Sequence, residues 1–435
     1  MIYSQIVKST LQSIIEKMSL TTERFSLHPG RDFSRARKLD FKKTLSFSLS
    51  MESGCMNHEL LKFFHYHNDT PSASAFFQQR SKLKTDAFRY LLKEFNASFP
   101  QQKFRGKYFL IACDGSEFNI PRNPQDTLSF IPPNKTAKKG FNMIHTISLY
   151  DVLSKRYLDL VVQPAREKNE FRALCRLLDR YSYGGYPIFL ADRGFASYNV
   201  FAHAIENNIN FAIRAKDSNV RRMLCLETLP DSIDTTVELF LTRTQSKKKY
   251  LYPELARQYR YLCKNISFDY ISDTQGEYRM KLRIVRFRVA DGVFENIITN
   301  LASDVFAAAQ IREIYRLRWK IETSFRDLKH TIGTLNFHSK KREYIEMELW
   351  CRLILYNFCS VIIVNTPVKE TGKKYVYQVN FSMAMKICIA FLRNKDSPSD
   401  TESLISNYIL PIRPDRSYVR QHRIQHPASF AYRFV

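Results

Sequence analysis

The sequence predicts an α/β fold, in which a mixed β-sheet is flanked by helices and interrupted by an all-β insertion. Two fully apolar runs of strand length, Tyr108–Cys113 and Pro187–Ala191, are typical of strands buried on both faces. Between them, Glu167–Tyr181 has the periodicity of an amphipathic helix. Later stretches alternate apolar and polar residues as strands do, and both ends of the chain have helical patterns.

The remaining elements of the core follow from the same patterns. Two alternating stretches after the first apolar run predict the next two strands of a meander, and a helix and a further strand follow the second apolar run. In chain order these elements are Met143–Tyr150, Arg156–Gln163, Val200–Asn207 and Asn210–Ala215.

The insertion is predicted from period-two alternation over Thr235–Thr242 and Lys281–Val289. Asp291-Gly292 is a hairpin signal. A long helix is then expected to begin after Ser303-Asp304, which has the residue types of a cap, and further helices are predicted within 340–395.

At 435 residues, the chain exceeds what one hydrophobic core usually supports, so we expect several domains. The predicted regions are a helical N-terminal region (1–103), the first part of the core (104–216), the all-β insertion (217–300), the second part of the core (301–370) and a helical, basic C-terminal tail (371–435).

The charge balance gives the first indication of a partner. Lys and Arg total 67 against 42 Asp and Glu, a formal net charge of +25. Such an excess favours nucleic acid, because each phosphate that a cation neutralises releases counterions. A merely basic soluble protein, or one that sits on anionic membranes, is the alternative at this point.

Cysteine usage indicates the compartment. The eight cysteines are scattered without a Cys-x-x-Cys pair, which argues against a structural zinc site and a disulfide framework. Charges interrupt the N-terminus too early for a secretory signal, and the most apolar late stretch, Leu353–Val364, is too short to span a bilayer. We therefore expect a soluble, cytoplasmic protein.

The N-terminal region contains a candidate helix-turn-helix at 57–95. Asn57–Tyr66 forms a short amphipathic run, a turn follows, and Ser72 or Ser74 can cap a second helix. An ordinary helical bundle with a solvated basic face explains the pattern equally well. The polar side chains expected to be exposed on the second helix are Gln78, Gln79, Arg80, Lys82 and Lys84.

Two carboxylates follow the two apolar strands directly. Asp114 stands in IACDGSEF and Asp192 in FLADRGF. If the strands are parallel neighbours, both side chains emerge at the same edge of the sheet, where carboxylates suit a pair of Mg²⁺ ions. Gly115 and Gly194 would leave room there for a phosphate backbone.

A third carboxylate lies on the predicted long helix. On a helical wheel Tyr315, Arg318, Glu322 and Lys329 share one narrow stripe beside an apolar face. A carboxylate there completes a metal site, while Arg and Lys can hold phosphates. The alternative is a solvated charged face in which Arg318 pairs with Glu322 one helical turn later.

The spacing of these four residues resembles the YREK signature of DDE transposases from bacterial insertion sequences, and most closely that of insertion-sequence family four. The resemblance extends to Asp114 in DGS, Asp192 in DRGF and the insertion between the second Asp and the Glu. It also covers three short motifs, TNL at 299–301, FHSKKRE at 337–343 and LYNF at 355–358.

The resemblance implies an RNase H-like core whose triad Asp114, Asp192 and Glu322 is catalytic and binds two Mg²⁺ or Mn²⁺ ions. It also implies DNA contacts by Tyr315, Arg318 and Lys329. The implied activity is cleavage at the terminal inverted repeats of an element, through a hairpin, and strand transfer into target DNA. A homodimer in a synaptic complex, at the bacterial nucleoid and with no membrane partner, is expected.

In the family that this sequence resembles, hairpin formation requires an unstacked base that is held by aromatic residues. Phe195, Tyr198 and Trp319 are candidates for this role, with packing in the core as the alternative for each. For Arg193 and Arg326, a solvated position is as good a reading as a DNA contact. Glu117 could touch the metal shell.

Two other functions fit the same sequence. One is a metal-dependent nuclease or resolvase that cleaves DNA without strand transfer. The other is a domesticated, inactive DNA-binding protein, which would bind DNA with a steep salt dependence and leave it uncut. The intact triad and the intact YREK spacing argue against the second.

Overall fold

The structure, a computed structural model, describes residues 3–52, 54–134, 137–244, 257–272, 276–333, 336–368, 375–393 and 400–412. Of the C-terminal tail predicted over 371–435, residues 371–374, 394–399 and 413–435 fall outside these ranges, as do parts of the predicted insertion. Within them, the chain forms a mixed α/β fold with one large sheet, so the predicted fold class is confirmed at that level.

Ten strands form a mixed sheet in the described part of the chain. In chain order they are β1 (Tyr108–Ile120), β2 (Phe130–Ile131), β3 (Phe141–Asp151), β4 (Arg156–Pro164), β5 (Tyr186–Ala191), β6 (Asn210–Ala215), β7 (Ile233–Thr242), β8 (Tyr259–Tyr261), β9 (Glu277–Ala290) and β10 (Val293–Thr299). Their spatial order is β2-β3-β1-β5-β6-β10-β9-β7-β8, and β4 also pairs with β3. The central strands β1, β5 and β6 are parallel, and antiparallel strands flank them on both sides.

Two further short strands, β11 (Tyr377–Val379) and β12 (Ile409–Pro411), pair with each other near the end of the described chain.

The helices precede, interrupt and follow the strands of the large sheet along the chain. The α-helices are α1 (Tyr3–Ser19), α2 (Thr22–Phe25), α3 (Phe41–Ser50), α4 (Met56–Phe63), α5 (Ala73–Arg80), α6 (Thr85–Ala97), α7 (Glu170–Asp179), α8 (Tyr198–Glu206), α9 (Asp217–Leu224), α10 (Ala308–Arg316), α11 (Lys320–Arg326), α12 (Arg342–Val364), α13 (Phe381–Arg393) and α14 (Thr401–Ser406).

The sheet has a hydrophobic core on each face. Alternate residues of β1 point to opposite faces of the sheet. Phe109, Ile111 and Cys113 face the core that contains α7 and α8. Leu110 and Ala112 face the other core, which contains α6, α10, α11 and α12. Because side chains alternate along a strand, Asp114 belongs to this second face. The helix that carries Glu322 therefore packs on the face to which Asp114 points.

The long helix α12 is the centre of the second core. It is long and apolar enough to cross a membrane, but 94% of its most apolar window is buried inside the protein. Asn357 on this helix donates hydrogen bonds to the carbonyl of Tyr157 and to Oδ1 of Asn96, at 2.7 and 2.8 Å. The apolar stretch Leu353–Val364 is thus the second half of a buried helix that ties the N-terminal region to the sheet.

The N-terminal region is helical, as predicted, but its second candidate helix is divided. Ser72 caps α5 by accepting a hydrogen bond from the N–H of Ala75, and α6 begins separately at Thr85. Arg80 was expected on an exposed face, and this is wrong: its side chain is 4% exposed and lies 3.1 Å from Glu348. A buried carboxylate 268 positions away attracts it, which local periodicity cannot show.

The segment 217–300 extends the central sheet. Its strand β10 pairs antiparallel with β6, and β9 and β7 follow outward in the same sheet. The segment also begins with a helix, α9. The expectation of a separate all-β insertion is therefore wrong. The segment contains α9, and its strands continue the central sheet from the edge of β6, whose backbone groups can form hydrogen bonds with β10.

The helical run over 308–331 begins later than predicted and is not uniform. Ala307, not Ser303 or Asp304, is the cap residue, and its N–H donates to Oε1 of Gln310 at 2.9 Å. A 3₁₀ turn, Leu317–Trp319, separates α10 from α11, and a π-helical turn, Asp327–Thr331, follows α11. Such departures from α geometry re-aim side chains and are frequent at functional sites.

Candidate active site

Asp114 and Asp192 lie side by side at the point where two parallel strands separate. Cys113 pairs with Ala191 in the last step of the β1–β5 ladder, so the next residue of each strand is an aspartate. β5 ends there, whereas β1 continues to Ile120 against β3. The parallel arrangement that the two carboxylates required is thus present, although Asp114 lies within its strand and not after it.

Arg318 lies between two carboxylates of the predicted triad. Its Nη1 is 3.6 Å from Oδ2 of Asp114, and its Nη2 donates to Oε1 of Glu322 at 3.3 Å. Only 2% of the Arg318 side chain is exposed. The alternative of a solvated charged face is therefore wrong for Arg318, although the predicted pairing with Glu322 is present.

The field of the neighbouring acids acts on Asp114. The pKa of Asp114 is raised to about 6: burial contributes most to the rise, the Gly115 N–H and Arg318 oppose it, and the charges of Glu322 and Asp192 add to it. Glu322 and Asp192 are therefore both close enough to Asp114 to disfavour its charged form. Arg318 and Arg214 do not balance the charges of the triad and of Glu295, and a bound divalent cation would supply the missing positive charge.

The chemistry of the donor set suits a hard cation. The three carboxylates offer only oxygen ligands, which Mg²⁺ and Mn²⁺ prefer. Oδ1 of Asp192 is buried and has no hydrogen-bond partner within the described ranges. Among those same residues, however, no group of three or more His, Cys, Asp or Glu side chains is drawn together at metal-binding separation. The ligand types fit a metal, and the side chains would have to converge to hold it.

A second arginine, which the sequence analysis missed, stands beside Asp192. Ala191 pairs with Ile213 in the β5–β6 ladder, so Arg214 occupies on β6 the position that Asp192 occupies after β5. Its Nη1 lies 4.0 Å from Oδ1 of Asp192 and 3.4 Å from Oε1 of Glu295. The signal was a charged residue near the end of the apolar strand NFAIRA, at the same offset as the aspartates.

Tyr315 lies at the Asp192 end of the helical run. It is 2% exposed, and its hydroxyl has no hydrogen-bond partner among the described residues. Burial raises the pKa of Tyr315, Arg318 lowers it, and the charges of Asp192 and Glu295 raise it. A buried phenol without a partner is a donor available to an anionic ligand.

Lys329 lies at the other end of the run. Its Nζ is 4.9 Å from the ring centroid of Phe118 on β1, and burial lowers its pKa while Glu117 opposes that shift. Oε1 of Glu117 itself lies 3.3 Å from Nζ of Lys168. The stripe of Tyr315, Arg318, Glu322 and Lys329 thus follows the sheet from Asp192 toward Phe118 and Glu117.

The three aromatic candidates occupy different surroundings. Phe195 is 2% exposed in the core with α7 and α8, and Tyr198 packs against the same core. Trp319 is 45% exposed, and the guanidinium of Arg318 lies 4.8 Å from its ring centroid. Packing in the core is therefore the correct reading for Phe195, whereas Trp319 presents an open ring beside the site. Arg193 and Arg326 are exposed.

Gly115 does not leave room for a ligand. A Cβ at Gly115 would lie 2.8 Å from Nε2 of His145, so the missing side chain makes space for a buried histidine. At Gly194 the nearest atom to such a Cβ is Oε2 of Glu170, at 3.6 Å. The expectation that Gly115 admits a phosphate backbone is wrong, because protein already fills that space.

The chain is similar in sequence to known proteins. A family model described as the transposase DDE domain matches residues 105–358, more than half of the chain. Over 126 residues the chain is 27% identical to the transposase InsG for insertion sequence element IS4 of Escherichia coli (strain K12). That match covers 26% of this chain and 28% of that relative. Among solved structures, the chain is similar to the cryo-EM structure of the piggyBac transposase synaptic complex with hairpin DNA, with a TM-score of 0.44 and 11% identity over 95% of this chain and 87% of that one.

Proposed function

Since this chain belongs to the transposase DDE domain family, we propose that it binds the terminal inverted repeats of an insertion sequence, cleaves the DNA there and transfers the strands to target DNA. The observation that supports this most is the alignment of Asp114 and Asp192 on adjacent parallel strands, beneath a helix that brings Glu322 and Arg318 to the same face. The catalytic core is of the RNase H type in this proposal, with Asp114, Asp192 and Glu322 as its triad.

The same three carboxylates would hold the metal ions. When bound, two Mg²⁺ or Mn²⁺ ions activate the attacking oxygen and stabilise the leaving oxygen of an in-line displacement. The chain's own residues supply the remaining positive charge. Arg318 and Lys329 hold phosphate oxygens near the carboxylates, and the buried hydroxyl of Tyr315 donates to one of them. In the first step water breaks a phosphodiester bond and leaves a 3′-hydroxyl, which in the last step attacks target DNA.

A groove in the N-terminal region fits the binding of the element's ends. It has a volume of about 590 Å³ and lies between the segment 28–39 and α5. Four basic side chains line it, together with two amides that can reach base edges. These residues are Arg31, Arg35, Arg37, Lys82, Gln78 and Gln79. DNA is the partner in this proposal because its backbone is the polyanion that such a groove attracts.

Trp319 is the aromatic residue best placed for a hairpin intermediate. Its open ring beside Arg318 can stack on a base that has left the helix, whereas Phe195 is enclosed. The chain acts as a homodimer that synapses two DNA ends, in the bacterial cytoplasm and at the nucleoid.

The decisive test is cleavage of a supercoiled plasmid that carries the DNA flanking this reading frame. Wild-type protein and Asp192→Asn are compared in Mg²⁺ and in Ca²⁺. The proposal predicts breaks or hairpins at the element's ends only for wild-type protein in Mg²⁺. Ends that are bound but uncut by wild-type protein would identify an inactive DNA-binding protein, and cut ends that never join target DNA would identify a nuclease.

A further inference from the structure

A second charged cluster lies on the opposite face of the sheet from the triad. His145 on β3 is 2% exposed, and its Nε2 is 3.1 Å from Oε1 of Glu170, the first residue of α7. Lys168 continues the cluster, with its Nζ 3.1 Å from Glu170 and 3.3 Å from Glu117. None of these residues belongs to the proposed metal-binding triad.

The His145–Glu170 pair lies against the backbone beside both aspartates of the proposed triad. Nε2 of His145 fills the space where a Cβ of Gly115 would stand, at 2.8 Å, and Gly115 directly follows Asp114. Oε2 of Glu170 lies 3.6 Å from the corresponding position at Gly194, two residues after Asp192. One hydrogen-bonded pair therefore lies behind two backbone segments, one in β1 and the other in the 3₁₀ turn Arg193–Phe195.

The pair is itself held in place. Gln163 is the cross-strand neighbour of His145 on β4. Its side chain exchanges two hydrogen bonds of 3.1 Å with the backbone of Asn169, and Asn169 caps α7 immediately before Glu170. The hydrogen bond from His145, with that from Lys168, outweighs burial and lowers the pKa of Glu170 to about 2, so this carboxylate is ionised and accepts a hydrogen bond from the Nε2–H of His145. A carboxylate in the first turn of a helix is also favoured by the helix dipole.

We propose that His145 and Glu170 are positioning residues that fix the separation of Asp114 and Asp192 by supporting Gly115 and Gly194 from the other face of the sheet. This inference rests on the proposed function, because it assigns the pair a role in presenting the metal-binding carboxylates. Groups that orient the ligands of a metal from behind are worth roughly 10-fold to 100-fold in metal affinity or activity.

The experiment measures the Mg²⁺ concentration for half-maximal cleavage of end DNA by the full chain. His145→Ala and Glu170→Gln should raise this concentration about 10-fold or more, with affinity for end DNA in Ca²⁺ unchanged. His145→Gln should restore most of the loss, because its amide can donate to Glu170. His203→Asn is the matched control, since His203 is another buried histidine, on α8 between Asp179 and Asp269.

Gly115→Ala gives an independent readout if His145→Ala folds poorly. Its Cβ collides with the His145 ring in wild-type protein, so it should raise the Mg²⁺ requirement by itself and add little in the His145→Ala background. An unchanged Mg²⁺ requirement in the His145 and Glu170 variants, or an equal shift in His203→Asn, would overturn the inference while the proposed function stands. Wild-type protein that never cuts overturns both.

Discussion

The Nη1 atom of Arg318 lies 3.6 Å from Oδ2 of Asp114, although the two residues are 204 positions apart in the sequence (318 − 114 = 204). The guanidinium is almost fully buried and also contacts Glu322. Burial alone would lower the pKa of Arg318, but electrostatic interactions with Tyr315, Asp114, Asp192 and Glu322 raise it overall, so the guanidinium stays charged beside the carboxylates. It balances part of their charge and remains a donor for a phosphate.

Arg318→Ala should lower the rate of cleavage at saturating Mg²⁺ by roughly 100-fold, because a positioned cation at the reacting phosphate is lost. Arg316→Ala is the control, since Arg316 is exposed two positions earlier in the same helical run. Single-turnover cleavage of end DNA measures both. Equal rates for Arg318→Ala and wild-type protein would remove Arg318 from the site.

Asp114→Asn should make the metal-free protein more stable while it abolishes cleavage. Burial and the neighbouring acids disfavour the charged form of Asp114, which raises its pKa to about 6. A neutral amide avoids this cost, on the order of 1 kcal/mol at neutral pH. Thermal unfolding in a chelator measures the effect. A lower melting temperature for Asp114→Asn than for wild-type protein would show that the ionised carboxylate of Asp114 does not destabilise the metal-free protein.

Glu348 should give stability that acid removes. Burial raises its pKa, but hydrogen bonding and attraction from His338, with Arg80 and Ser339, outweigh burial and lower the pKa to about 2. A lowered carboxylate pKa contributes stability that is full above the unfolded value and is lost as pH falls toward the folded value.

Glu348→Gln should therefore cost about 3 kcal/mol of unfolding free energy at pH 7, and the difference from wild-type protein should shrink below pH ~4. Denaturant unfolding of both proteins at pH 7 and below pH ~4 measures this difference in unfolding free energy. Glu16→Gln, in an exposed pair with Lys42, is the control and should change little. A pH-independent difference would contradict the ion-pair explanation.

Trp319 and Phe195 should separate function from stability. Trp319→Ala should reduce hairpin formation with little change in melting temperature, since the ring is 45% exposed. Phe195→Ala should cost about 3 kcal/mol of stability, because it empties a buried site. Gel analysis of the cleaved DNA ends measures hairpin yield, and thermal unfolding measures stability, for both variants. Normal hairpin yield with Trp319→Ala would exclude a stacking role.

Arg35→Ala and Arg37→Ala in the N-terminal groove should each weaken binding to end DNA and reduce the slope of log affinity against log salt by about one. Lys17→Ala, exposed on α1 and outside the groove, should leave the slope unchanged. Fluorescence anisotropy over a range of salt concentrations distinguishes the two. Parallel salt slopes for all four proteins would place DNA binding elsewhere.

The sequence predicted the elements that are regular and local. Apolar runs located β1 and β5, and their register confirms that Asp114 and Asp192 are neighbours. What it could not predict depends on partners far along the chain. Arg80 is buried because Glu348 lies beside it, and Arg318 is buried because Asp114 does.

The residues behind the site were missed for the same reason. His145 and Glu170 are meaningful only once β1, β3 and α7 are assembled, since neither has a motif in its own segment. The joining of β10 to β6 was missed because period-two alternation indicates a strand but not the edge on which it pairs. The later start of the run at Ala308 reflects a cap formed by backbone and Gln310, without a polar cap residue.

Joining of a precut end to target DNA tests the proposed triad most directly. An oligonucleotide that ends in the element's 3′-hydroxyl is incubated with a target plasmid, Mg²⁺ and wild-type protein, Glu322→Gln or Thr323→Ala. Thr323 is exposed beside Glu322 and serves as the control. We expect joined product from wild-type protein and Thr323→Ala, and none from Glu322→Gln although it binds the oligonucleotide. Joining by Glu322→Gln at the wild-type rate would contradict the assignment of the triad.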